Sequence, residues 1–124
     1  MIGEIHKVLT PFFDRVKGRM AFKSRPALVL ARADGEDYVV LPVSSVSRRQ
    51  NLHPVYDIEI DPAIYPRLHL TKVCYVRTHK QLTVHVGEFC GWYGDVKGNY
   101  EELYLTILEK WEAFHQDAAL QALR

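Results

Sequence analysis

A small antiparallel β barrel, closed or half-closed and carrying α additions, is the fold class this sequence predicts. Up to Gly87, five or six short runs rich in β-branched and aromatic residues alternate with polar turns. Beyond Gly87 the apolar period changes to three or four, which marks one amphipathic helix at the end of the chain. A length of 124 residues gives room for one modest core, so the prediction is a single domain, 1–124, with a barrel over about 1–90 and a helix over about 99–122.

Gly3–Thr10 reads as the first strand, stopped by Pro11. A long polar and basic loop follows from Asp14 to Ser24, with Gly18 inside it. Ala27–Ala31, entered after Pro26, is an apolar run short enough for a buried strand. Asp34-Gly35 and Glu36-Asp37 then turn the chain into its partner, Asp37–Val43, where Pro42 lies near the end and a missing donor is tolerated. Ser44–His53 is a polar loop. The alternation within Val55–Ile60 predicts another strand, and Asp61–Leu68, with its prolines, a connection. Leu70–Thr78 and Gln81–Val86 read as two further strands around a tight His79-Lys80 turn. Asn99-Tyr100-Glu101-Glu102 has capping-box spacing, and Leu103, Ile107, Trp111, Phe114 and Ala118 mark the apolar face of the helix it opens. The other face is acidic and would repel anionic lipid, so the apolar face is assigned to the barrel or to a second subunit.

Composition excludes several classes. No apolar run reaches the roughly 20 residues that span a bilayer, and the N-terminal segment lacks the pattern of a signal peptide, which points to a cytoplasmic protein with no membrane partner. Cys74 and Cys90 form no CxxC pair and are read as reduced, buried thiols. The net charge of +1 conceals an asymmetry: residues 1–87 hold 13 Lys/Arg against 8 Asp/Glu, and residues 88–124 hold 3 against 7. Arg15–Arg32 and Pro62–Gly87 contain no acid at all. A basic face with an acidic counterweight is how a near-neutral protein can bind a polyanion. None of the six histidines stands in a metal-ligand spacing, and there is no Gly-rich phosphate loop or GxSxG, so no cofactor or metal is expected.

What remains is a set of polar groups at predicted strand ends: Arg25, Ser44, Ser45, Arg77, Thr78, His79 and Lys80. Arginine matches a phosphate with a planar fork that stays charged. Serine can donate to a phosphoryl oxygen or orient an attacking hydroxyl. Histidine titrates near neutrality and can act as acid or base. Together these are the parts for cleaving RNA without a metal: the 2′-hydroxyl attacks, arginine stabilises the phosphorane, and an acid protonates the leaving 5′-oxygen.

Four segments in order also resemble the MazF/PemK (Kid) family of toxins from toxin–antitoxin systems. Gly3-Glu4-Ile5, followed by strand residues and Pro11, is similar to the family's opening strand, and Lys23-Ser24-Arg25-Pro26-Ala27-Leu28-Val29-Leu30 to its RP signature. Leu41-Pro42-Val43-Ser44-Ser45 resembles its strand ending in Pro-x-[ST]-[ST], and Thr71–Val84 its following strand-turn-strand. The resemblance covers residues 1–87 plus a terminal helix. It implies an SH3-like barrel, a homodimer, a metal-independent endoribonuclease acting on single-stranded RNA, and an antitoxin partner whose tail covers the RNA groove. By the same resemblance Arg25 is the arginine that stabilises the phosphate and transfers protons, Ser45 (with Ser44 competing) the catalytic hydroxyl, and Arg77 an arginine that some members pair with an aspartate two residues later. Here that position is His79, which leaves the general acid and base open between His79 and Arg25 acting with the serine alone. Lys23-Ser24 stands where the family has a glycine before its RP pair. Lys17, Arg19, Lys23, Arg48, Arg49 and Lys80 are the expected RNA contacts. Two alternatives stand beside the nuclease: a non-catalytic barrel that binds a protein, as a gyrase-poisoning relative of this fold does, and a barrel that binds RNA without cutting it.

Overall fold

A computed structural model describes residues 1–124. It is mainly β, a curled antiparallel half-barrel followed by a C-terminal helix. The strands are β1 (Glu4–Asp14), β2 (Arg19–Asp34), β3 (Asp37–Ser44), β4 (Asp57–Ile60), β5 (Cys74–Arg77), β6 (Leu82–His85) and β7 (Phe89–Asp95), and the helices α1 (Val96–Asn99) and α2 (Glu101–Ala122). The sheet runs in the order β4-β5-β3-β2-β1-β7, with β6 also paired to β3.

The uninterrupted apolar run in β2 has a simple cause: both faces of the strand are covered. Leu28 and Leu30 point into the main core with Ile5, Leu41, Val43, Ile60, Val76 and Ile107. Ala27 and Val29 point the other way, into a smaller cluster with Val8, Val40 and Val84 that Tyr38, Leu82 and Phe89 cap. Alternation puts successive side chains on opposite faces, so a strand buried on both must be apolar throughout.

Along its far edge β3 meets two strands in succession. Its first half, Asp37–Val40, pairs β6, and its end, Val43–Ser44, pairs β5. Thus β5 and β6 are not the two arms of a hairpin around His79-Lys80, as their pattern suggested, but two pieces of one strand interrupted by a detour over Thr78–Gln81. The interruption falls beside Leu41-Pro42 of β3, where proline offers no N–H for a ladder bond. Thr78 anchors the detour; it is wholly buried, and its Oγ1 donates to the Tyr56 carbonyl at 2.6 Å.

The open side of the curl, between β4 and β7, is bridged by the β4–β5 connection. Its short 3₁₀ turn, Pro66–Leu68, presses onto β7 at Gly94, where a Cβ would lie 2.5 Å from the Arg67 carbonyl oxygen and 2.8 Å from Leu68 Cα. Only glycine allows that approach. Helix α2 then covers the core with Leu103, Tyr104 and Ile107 buried and Leu108 and Trp111 packed beside them. The apolar face read from the sequence is the face that docks. No helix is long and apolar enough to cross a membrane.

Several boundaries differ from expectation. Pro11 does not stop β1, because β7 pairs β1 only as far as Val8 and leaves the rest of that edge free. The segment Asp14–Ser24 is not a long loop: β1 and β2 remain paired out to Asp14 and Arg19, and only Arg15–Gly18 turns. Phe89–Asp95 is an additional strand. The capping box does not form, since Asn99 lies inside α1 and its amide donates to the Asp95 carbonyl, while Asp95 Oδ1 accepts from Gly98 N at 2.9 Å. Cys74 is buried as expected but Cys90 is exposed.

Candidate functional site

The hairpin β2–β3 delivers Arg25 and Ser44-Ser45 to the same place. Ala27 pairs with Pro42, so Arg25 and Ser44-Ser45 come together where β3 ends, while β2 runs on to Arg19 paired with β1. There they line a cleft of about 400 Å³. Its walls are Lys23–Pro26 of β2, Val43-Ser44 of β3 with Ser45 just beyond it, Leu70–Lys72 from the β4–β5 connection, Cys74 at the start of β5, and Tyr93 of β7.

The cleft is electropositive by construction. Lys23, Arg25 and Lys72 contribute cations, and no carboxylate or imidazole is among the lining residues. None of the three makes a salt bridge. The Arg25 guanidinium lies over the Phe12 ring, 5.6 Å from its centroid, a contact that orients the group without occupying its N–H donors. Ser44 is half-buried opposite Tyr75, and Ser45 is exposed just beyond the strand. On the floor Cys74 is held as a thiol: burial raises its pKa, against the pull of the Lys72 ammonium, and its Sγ points to the Lys72 carbonyl at 3.3 Å. Ser24 Oγ lies 3.7 Å from Cys90 Sγ.

Arg77 and His79 lie elsewhere. Arg77 faces Asp57 directly across the β4–β5 pairing, and its Nε and Nη2 donate to the two carboxylate oxygens at 3.1 Å each. A further Nη2 bond reaches the Asn51 carbonyl at 2.9 Å. The Asp57 carboxylate is only 1% exposed and also accepts from His53 N at 2.7 Å, so this arginine's fork is committed to tying a loop to the sheet. His79 sits in the Thr78–Gln81 detour among His53, Tyr56 and Phe114 of α2. Its Nδ1 is enclosed without a hydrogen-bond partner, 3.8 Å from Asp57 Oδ1. Burial depresses the His79 pKa; Asp57 opposes that shift, and Arg77, His53 and Lys80 add to it. The carboxylate that Arg77 meets is therefore Asp57, and the pair lies away from the cleft.

Of the six basic positions expected to contact RNA, only Lys23 lines the cleft. Lys17 and Arg19 stand at the exposed tip of the β1–β2 hairpin, Arg48 and Arg49 at a short 3₁₀ turn beyond Ser45, and Lys80 in the detour. Conversely, Thr71, Lys72 and Tyr93 belong to the cleft and were not singled out. Thr71 and Lys72 fall within the acid-free segment Pro62–Gly87, which was the available signal. Tyr93 follows the charge change at Glu88 and gave none.

No protein-family model matches this chain, and no curated protein matches its sequence.

Proposed function

We propose that this protein is a metal-independent endoribonuclease of the MazF/PemK type, the toxin of a toxin–antitoxin pair, that cleaves single-stranded mRNA in the cytoplasm. The observation carrying this reading is the convergence of Arg25 with Ser44-Ser45 in one cleft whose cations have no acidic partners. A phosphodiester is the ligand such a cleft suits: Arg25 grips non-bridging oxygens with its free fork, Lys23 and Lys72 add positive potential, and the serine hydroxyls donate to the phosphate or align the ribose 2′-hydroxyl. The 2′-oxygen attacks phosphorus, the P–O5′ bond breaks, and the products carry a 2′,3′-cyclic phosphate and a 5′-hydroxyl. Arg25 neutralises charge that grows in the transition state. A homodimer and a cognate antitoxin belong to the same reading.

The test is to incubate purified protein with a varied single-stranded RNA pool in EDTA and analyse the ends. Cleavage leaving 2′,3′-cyclic phosphates is expected, and Arg25→Ala should lower kcat/KM by about 10²–10³-fold. Folded protein that cuts nothing in the pool overturns the nuclease reading.

One observation favours a second reading, RNA binding without cleavage: the cleft lacks the carboxylate or imidazole that acid–base chemistry most often uses. Salt-dependent RNA affinity with no new ends would identify that case.

A further inference from the structure

We infer that Tyr93 is the proton donor of this cleft, giving its phenolic hydrogen to the leaving 5′-oxygen; the inference rests on the nuclease reading above. The chemistry requires an acid at O5′, and the histidine expected to supply it, His79, is packed beneath Phe114 and does not line the cleft. Among the lining residues, dissociable protons are carried by Lys23, Arg25, Lys72, Cys74 and Tyr93. Arg25 keeps its proton throughout, and Cys74 is a buried floor residue whose thiol already points to a carbonyl. Lys23 and Lys72 are exposed, with long stems that no salt bridge or hydrogen bond holds in place.

Tyr93 differs from these in being fixed. It is half-buried against the main core, and its carbonyl accepts a hydrogen bond from His69 Nδ1. His69 itself adopts the left-handed conformation, φ 57°, at the end of the Pro66–Leu68 turn, and Gly94, which follows Tyr93, is clamped beneath that turn. The ring is therefore mounted on a closed part of the barrel, yet its hydroxyl makes no hydrogen bond to the protein and remains available to a ligand. A lining residue on a rigid mount, with an O–H that no protein group uses, is the one in this cleft best suited to general-acid catalysis. In the step, the 2′-oxygen bonds phosphorus and releases its proton to solvent as the P–O5′ bond breaks. The phenol proton passes to O5′, and the phenolate regains one from water. The Lys23 and Lys72 ammonium groups would stabilise that transient phenolate.

The experiment uses two RNA substrates spanning the mapped cleavage bond, one normal and one with the 5′-bridging oxygen replaced by sulfur. A thiolate leaves without protonation, so it removes the need for the acid. Tyr93→Phe, which keeps the ring and its packing, should cut the normal substrate about 10²–10⁴-fold more slowly than wild type. It should cut the sulfur substrate within about threefold of wild type. Lys72→Met should lose comparably on both substrates. The inference is overturned if Tyr93→Phe cuts the normal substrate at the wild-type rate, if it loses equally on both, or if Lys72→Met is the variant that sulfur rescues. Wild type that cuts neither substrate overturns the nuclease reading and this inference together.

Discussion

Arg25 and Arg77 carry the same side chain in opposite circumstances. Arg77 is held by Asp57 and the Asn51 carbonyl, whereas Arg25 has only an aromatic face beneath it. The two should therefore report differently on stability. Asp57→Ala leaves the Arg77 cation without its carboxylate and is expected to cost about 3 kcal/mol. Arg25→Ala loses a partly exposed stacking contact and is expected to cost about 1 kcal/mol or less. Urea denaturation of both variants measures the contrast, and equal losses would mean that Arg25 is also a structural residue. The Arg-Pro pair and the serine pair were legible in the sequence because they flank the apolar runs of β2 and β3, although Arg25 itself lies inside β2 and not at its end. That Arg77 is consumed by Asp57 was not, since the partner lies 20 residues away across a pairing no local pattern announces.

At the scale of elements, the Thr78–Gln81 detour is the joint between sheet and helix. Gln81 Oε1 accepts from Trp111 Nε1 at 2.8 Å and lies 2.7 Å from His115 Nε2, while His79 fills the space beside Phe114. Because His79 is harder to protonate here than in the unfolded chain, where its pKa is about 6.5, acid favours unfolding. The stability it confers is complete above that value and falls as pH drops through the depressed folded-state pKa. Denaturation midpoints measured from pH 7.5 to 5 should fall for wild type and fall less steeply for His79→Gln; identical slopes would remove His79 from the account. The Gly94 contact predicts a different sensitivity: Gly94→Ala should cost about 1–3 kcal/mol, read as a lowered Tm, because the obstructing atoms are backbone. The helix face and the doubly buried β2 run were readable because burial imprints its period on the sequence. Strand β7 was not readable. Its Gly-Trp-Tyr-Gly stretch has no clean alternation, and its glycine is there for the close approach of the Pro66–Leu68 turn.

Over the whole molecule, the charge asymmetry of the chain is resolved in space. Basic residues of the first 87 positions supply the cleft and the β1–β2 hairpin, and acidic residues concentrate along α2. Binding of single-stranded RNA should weaken linearly with the logarithm of salt concentration, and Lys72→Met should lessen that slope by about one; an unchanged slope would place Lys72 outside the contact. One side of the cleft was foreseeable from the sequence, namely Lys23, Arg25 and the serine pair along β2 and the end of β3. The remainder, Thr71-Lys72 and Tyr93, arrives only when the β4–β5 connection closes the curl against β7. The central claim is that RNA phosphate is handled in this cleft and not at the Asp57–Arg77–His79 cluster. Its most direct test is an amide NMR titration with a 2′-O-methyl RNA pool, which binds but cannot be cut. Shifts concentrated at Ser44, Ser45, Thr71, Lys72 and Tyr93 are predicted; shifts centred on Asp57, His79 and α2 would contradict the account.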